Sequence, residues 1–203
     1  MTKAVIFDVD GTLLDSFGTN FILFQRLMEK AGYPPPTRDE YGPIFHRTLH
    51  DTIQILAHTK DEKETKRIQD FIEKIDIPPA TFFEGVPETI RALSGRYPLA
   101  IMTSRIKAYA FEPPLNTLEH YFKIAVTYED TERHKPDPGP LLLAAKQLNV
   151  DPGECVYIGD VRSDFDAAQA AKMKFILYSR ETAGWALIHT NNFAELPNLI
   201  ECE

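Results

Sequence analysis

Short apolar runs alternate with helical patterns along most of this chain. Ala4-Val5-Ile6-Phe7 is followed by Leu99-Ala100-Ile101-Met102, Ile124-Ala125-Val126, Cys155-Val156-Tyr157-Ile158 and Phe175-Ile176-Leu177-Tyr178. Runs this short and this continuously apolar predict strands of a parallel sheet covered on both faces. Between them, residues 87–93, 139–148 and 163–171 place apolar side chains at helical spacing, the alternation that builds an α/β fold. Pro138 and Pro140 suit the first turn of the second of these helices, with Asp137 as its cap.

The pattern changes between the first and second strands. Residues 16–82 read as helical, with no convincing strand. Residues 17–30 form one amphipathic helix stopped by Gly32 and Pro34-Pro35-Pro36, and residues 41–57 one or two more. Residues 61–75 are strongly charged, with Ile68, Phe71, Ile72 and Ile75 as an apolar stripe. Pro78-Pro79 returns the chain to the sheet. This stretch is far longer than a β–α–β crossover needs. The expected organisation is therefore a core from residues 1–15 and 83–203 with a helical insertion at 16–82. That insertion would sit above the carboxyl ends of the strands and act as a lid that excludes water.

Composition narrows the function classes. The chain has 203 residues and a formal charge of -8, with no cluster of Lys and Arg, which argues against nucleic acid as the partner. No apolar segment approaches the ~20 residues needed to cross a bilayer, and Met1-Thr2-Lys3 leads straight into a strand without a hydrophobic leader. Cys155, inside an apolar run, and Cys202, near the carboxyl end, make no disulfide framework. A protein of the reducing cytoplasm is expected, monomer or homodimer, with Cys155 as a small buried apolar residue.

Candidate chemistry collects where the strands end. Asp8 and Asp10 follow the first run directly, at the carboxyl edge where an open α/β sheet gathers ligands. Side chains two apart on extended backbone share a side, and Gly11 allows a sharp turn behind them. Two acids held this close repel unless a cation or a shared proton lies between them. Thr103 ends the second run, Lys135 lies in Lys135-Pro136-Asp137-Pro138 after the third, and Asp160 ends the fourth, with Asp164 four residues on. Taken one at a time these are ordinary caps, turn formers and loop residues. In this order, on these strand ends, they form a set.

That set resembles the haloacid dehalogenase superfamily of phosphohydrolases, in its phosphoglycolate-phosphatase-like branch with a helical cap. The carrying motifs are Asp8-Val9-Asp10-Gly11-Thr12-Leu13, Thr103, Lys135-Pro136, and Gly159-Asp160 with Asp164. The resemblance spans essentially the whole chain and implies a Rossmann-like three-layer α/β core, its parallel sheet centred on the first strand, plus an inserted α-helical cap domain. It implies a magnesium-dependent phosphatase acting on a small phosphorylated metabolite. Asp8 would attack phosphorus to give an aspartyl-phosphate, and Asp10 would protonate the leaving alcohol and then take a proton from water. Thr103 would hold phosphoryl oxygens, and Lys135 would counter the charge. By the same analogy the Asp8 side chain, the Asp10 carbonyl and Asp160 would bind magnesium, with Asp164 supporting the metal's water or Lys135. Dehalogenases of the superfamily lack an acid where Asp10 stands, and phosphonate-cleaving relatives use a cap lysine; the lysines here read as a solvated face.

Several positions depart from the pattern or extend it. Ser104-Arg105 stands where close relatives often have Asn followed by Lys, and both are candidates to touch substrate. Lys172-Met173 replaces a frequent Gly-Met, and Asp166 is turned away from Asp164 on a helix. Phe17 and Arg47 are substrate candidates in the insertion, where His46, Arg47 and His50 are expected on one helix. His46 and His50 are spaced to chelate, but no third ligand is evident. Two other readings share the motifs: a phosphomutase of the beta-phosphoglucomutase type, and a non-catalytic binding protein on the same fold.

Overall fold

The computed structural model describes residues 1–180 and 183–201; Cys202 lies outside them. The chain divides into two compact units, Met1–Asp15 with Thr81–Glu203 and the intervening Ser16–Ala80.

In the first unit β1 (Ala4–Phe7) continues into β2 (Leu14–Asp15), which pairs antiparallel with β3 (Thr81–Phe82). The main sheet adds β4 (Leu99–Met102), β5 (Phe122–Val126), β6 (Cys155–Gly159), β7 (Lys174–Tyr178) and β8 (His189–Thr190). Its order is β5-β4-β1-β6-β7-β8, and every neighbouring pair is parallel. The five apolar runs are strands, and the first lies inside the sheet as expected. The chain builds outward from β1 through β4 and β5 on one side, and through β6, β7 and β8 on the other. The direction of winding thus reverses between β1 and β6, which makes their carboxyl ends the natural ligand crevice of such a sheet.

Burial explains the apolar runs. All residues of β1, β4 and β6 are buried. Alternate side chains separate into two faces: Ala4, Ile6, Ala100, Met102, Cys155 and Tyr157 meet α6 (Gly139–Leu148) and α7 (Arg162–Ala170). Val5, Phe7, Ile101, Val156 and Ile158 are buried on the other. α5 (Val86–Ser94) packs on α8 (Leu196–Glu201), and the Thr89 hydroxyl donates to the Phe193 carbonyl at 3.1 Å. The cap position of α6 is Pro138, not the expected Asp137, which instead accepts from the Gly139 amide at 2.8 Å from one residue before it.

The Ser16–Ala80 unit is helical: α1 (Phe17–Ala31), α2 (Arg38–Tyr41), α3 (Leu49–Leu56) and α4 (Glu62–Gln69). Its core gathers Phe24, Leu27, Met28, Tyr41, Ile53 and Ile68, with Phe71, Ile72 and Ile75 packed against it. The apolar stripe read from the charged segment is therefore the side that packs inward. Tyr41 is ringed by Phe17, Phe21, Phe24 and Phe45, with centroids 5.3–6.1 Å away.

Two expectations need correction. The 16–82 stretch was expected to hold no strand, but Thr81–Phe82 is one, paired to Leu14–Asp15. A two-residue strand leaves no periodic signal, and only its partner across the insertion reveals it. His46 and Arg47 were expected on a helix with His50, yet α3 begins at Leu49. Gly42–Ile44 form a short 3-10 turn with Pro43 inside its start, and the Thr48 hydroxyl caps α3 by accepting from the Asp51 amide at 3.1 Å. That cap fixes the helix start after Arg47. The eighth strand, again two residues, was not anticipated. No helix among the described residues is long and apolar enough to cross a membrane.

Helix ends show what the Lys172 departure costs. After α1, Gly32 takes φ 90, and the Tyr33 amide donates to the Met28 carbonyl at 2.8 Å. After α7 the same closure is made by Lys172 at φ 58, with the Met173 amide donating to the Ala168 carbonyl at 2.9 Å. A side chain in this left-handed region is strained, whereas glycine is at ease there. Lys172→Gly is expected to stabilise the protein by about 0.5–1 kcal/mol, read as a higher midpoint in urea or thermal unfolding at unchanged activity.

Candidate active site

The carboxyl ends of β1 and β6 bring Asp8 and Asp160 together, and the start of α7 adds Asp164. One carboxylate oxygen from each lies within 4.8 Å of the others. The approach is close because two glycines permit it. A Cβ on Gly11, itself at φ +82, would lie 2.0 Å from Asp160 Oδ2, and one on Gly159 would lie 2.5 Å from Asp164 Oδ2.

Lys135 enters this cluster from the loop after β5. Its Nζ lies 2.6 Å from Asp8 Oδ1 and 2.7 Å from Asp164 Oδ1, with all three side chains nearly or fully buried. The loop is held on either side of the lysine: His134 stacks on Tyr128 at 4.1 Å, and the Asp137 amide donates to the His134 carbonyl. Asp164 is bonded on both of its oxygens. Its Oδ1 also accepts from the Tyr157 hydroxyl at 2.8 Å, and its Oδ2 accepts from the amides of Asp160 and Val161 at 3.2 and 3.3 Å. It thereby serves donors exposed at the start of α7, where a negative charge is favoured. Asp160 accepts a longer bond from the Thr12 hydroxyl, 3.4 Å.

Two buried carboxylates and a half-buried third around one ammonium leave the cluster short of positive charge. Burial pushes the Asp8 carboxyl up from 3.8 to about 7, against the opposing pull of Lys135 and with the Asp164 and Asp10 charges adding to the rise. Asp160 is raised well above the carboxylate range by burial and by the charges of Asp164 and Asp8. Burial alone would lower Lys135, but Asp164 and Asp8 outweigh it and hold the ammonium protonated. Oxygen donors converging in a site deficient in positive charge fit a hard metal cation. The residues present can hold one.

Asp10 lies beside this cluster in a pair of its own. Arg105 grips it through both oxygens, Nε to Oδ2 and Nη2 to Oδ1 at 2.7 Å each. Arg105 Nη1 also donates to the Tyr109 carbonyl at 3.2 Å, and only 15% of the Arg105 side chain is exposed. Thr103, buried at the end of β4, accepts from the Arg105 amide at 3.2 Å through its hydroxyl. Ser104 is half-buried between them. Asp166 pairs with Arg162 at 2.8 Å, away from the cluster.

The insertion's candidates lie in the helical unit. Phe17 belongs to the aromatic group around Tyr41, with the Arg38 guanidinium 5.6 Å from its ring centroid. Arg47 lines an open groove of about 590 Å³ with Asp51, Gln54 and His58. His50 Nε2 bonds Glu62 at 2.8 Å, and the His46 ring lies against Phe45.

Comparison with known proteins decides the family. The profile of the haloacid dehalogenase-like hydrolase family matches residues 5–178. The chain belongs to that family. Pyrophosphatase PpaX of Bacillus pumilus is 29% identical over 174 residues, 85% of this chain and 81% of that protein. A haloacid dehalogenase-superfamily hydrolase, subfamily IA, variant 1, from Geobacter sulfurreducens superposes with a TM-score of 0.74 at 29% identity, covering 98% of this chain and 96% of that one. A predicted phosphoglycolate phosphatase from Haemophilus somnus reaches a TM-score of 0.84 at 19% identity and 98% coverage of both, a likeness of fold. As a haloacid dehalogenase-like hydrolase, the protein is an enzyme of the class anticipated from its motifs.

Sequence reasoning missed Tyr157, read only as an apolar strand residue. Its signal was present: a tyrosine in a fully buried strand must find a partner for its hydroxyl, and Asp164 is that partner.

The raised Asp8 carboxyl has a testable consequence. A group with a higher value folded than unfolded stabilises the fold below its unfolded value, and that contribution is lost as pH rises through the folded one. For Asp8 in the metal-free protein the window runs from 3.8 to about 7. A divalent cation would take the place of the proton. Magnesium is therefore expected to raise the thermal unfolding midpoint more at about pH 8 than at about pH 5. Equal rises at both would mean the cation binds elsewhere.

Proposed function

We propose that this hydrolase is a magnesium-dependent phosphatase that cleaves a small phosphorylated metabolite through an aspartyl-phosphate. The observation that carries the reading is the convergence of the buried Asp8 and Asp164 with the half-buried Asp160, with Lys135 bonded to the first two. The names of relatives support the reaction class, PpaX being called a pyrophosphatase.

In this reading an Asp8 oxygen attacks phosphorus while the bond from phosphorus to the leaving oxygen breaks, its electron pair staying on that oxygen. Asp10, once it has taken up a proton and released one of its two bonds to Arg105, gives that proton to the leaving oxygen, then takes one from the water that attacks the phosphorus of the aspartyl-phosphate. That second attack breaks the bond to Asp8 and restores its carboxylate. Magnesium, held by Asp8, the Asp10 carbonyl and Asp160, would supply positive charge for the phosphoryl oxygens. Lys135 supplies the rest from its position on Asp8. Thr103 already accepts from Arg105, which leaves its O–H proton to be donated to a phosphoryl oxygen. Asp164 holds Lys135 and the start of α7 in place.

A phosphate-release screen over phosphorylated metabolites, with magnesium and then with chelator, tests the activity; isomerisation of a sugar phosphate without release would favour a mutase instead. Asp8→Asn is expected to reduce turnover to background with the unfolding midpoint retained, and full activity would remove Asp8 from the nucleophile's role. Asp10→Asn is expected to slow hydrolysis of alkyl phosphates by roughly 10²-fold or more, and nitrophenyl phosphate far less. Equal losses across leaving groups would contradict the assigned proton transfer.

A further inference from the structure

Tyr157 carries a hydroxyl in the middle of the sheet for which apolar packing gives no reason. It pairs in register with Ile6 on one side and Phe175 on the other, and it is fully buried. A phenylalanine would fill the same space with no polar group to satisfy. The Tyr157 hydroxyl donates to Asp164 Oδ1 at 2.8 Å, and the centroid of the same ring lies 5.7 Å from Lys135 Nζ. Tyr157 thus touches both members of the Lys135–Asp164 pair from a place no substrate reaches.

That lysine is shared. Its Nζ lies 2.7 Å from Asp164 Oδ1 and 2.6 Å from Asp8 Oδ1, so two carboxylates compete for one ammonium at nearly equal length. The division depends on how much negative charge each oxygen keeps. Asp164 Oδ1 gives part of its charge to the Tyr157 hydroxyl, while Oδ2 accepts from the Asp160 and Val161 amides. A second donor on one oxygen disperses its charge and weakens its pull on the ammonium. Asp164 is fully buried, so solvent offers no replacement for the phenol.

We propose that Tyr157 is a positioning residue that sets how Lys135 is divided between Asp164 and Asp8. The inference rests on the phosphatase reading, in which Asp8 attacks phosphorus and Lys135 supplies charge beside it. With the phenol in place, Asp164 holds the ammonium without drawing it off Asp8. Without the phenol, Asp164 keeps more of Lys135 and Asp8 keeps less. The effects on cation binding and on turnover then have opposite signs. Asp8 is freer to bind a divalent cation, because an ammonium and a metal compete for the same oxygens. Turnover falls, because the ammonium sits farther from the phosphoryl group that Asp8 attacks. A site merely loosened by a lost contact would bind the cation less well and turn over more slowly.

The test compares Tyr157→Phe with the wild type in two measurements. Magnesium alone is titrated into the substrate-free protein by calorimetry. Hydrolysis at saturating magnesium is followed with nitrophenyl phosphate or the best substrate of the screen above. Tyr157→Phe is expected to bind magnesium about threefold more tightly and to show a kcat lower by roughly tenfold, with its unfolding midpoint confirming a retained fold. If Tyr157→Phe does not fold, Tyr157→Met, which also lacks the hydroxyl and adapts to the same space, carries the comparison. Equal or weaker magnesium binding in the folded variant, or an unchanged kcat, overturns the role of Tyr157 and leaves the phosphatase standing. Release of phosphate by the wild type from no substrate defeats both.

Discussion

Everything at the strand ends answers to one constraint: the buried Asp8 and Asp164 and the half-buried Asp160 hold donor oxygens within 4.8 Å of one another, with a single ammonium among them. Burying like charges side by side is costly unless positive charge is brought to them. The carboxyls of Asp8 and Asp160 are accordingly pushed upward. Such an arrangement persists because the rest of the fold over-determines it, and it is the condition under which a hard cation binds.

The sheet creates the convergence. β1 and β6 are parallel neighbours in register from Ala4 with Cys155 to Phe7 with Ile158, so the residues that follow them emerge side by side. Winding departs from this pair in both directions, which opens a crevice between their ends. Gly11 and Gly159 then remove the side-chain bulk that would hold the carboxylates apart. The apolar packing of α6 and α7 on one face keeps those strands in place.

Asp164 joins packing to chemistry. It receives the Tyr157 hydroxyl from inside the sheet, two amides from the start of α7, and Lys135 from the loop before α6. Three separate elements are thus fixed to one carboxylate, and the lysine they position is the same one that contacts Asp8. On the other side of Asp8, Arg105 ties Asp10 to the end of β4. An acidic chain of net charge -8 thereby places two largely covered cations against the acids at its strand ends, which is a local property that net charge does not express.

Much of this was legible in the order of residues. Ala4-Val5-Ile6-Phe7 announced a buried strand because nothing polar interrupts it, and the spacing of Asp8, Asp10, Asp160 and Asp164 placed the acids on strand ends and one helix start. The two-residue strands β2, β3 and β8 were not legible, since two residues carry no periodic pattern, and β2 and β3 also pair across a long insertion. Nor was the start of α3, set by the Thr48 cap, or which group would receive the Tyr157 hydroxyl, the carboxylate seven residues on. Arg105 stood beside Thr103 in the sequence, but its grip on Asp10 spans 95 positions. Sequence by itself determined which groups are present and which elements carry them, because periodicity and turn chemistry act over a few residues. Only the tertiary structure decided which charges touch, because contact between distant strand ends depends on strand order and register, which no short stretch of chain encodes.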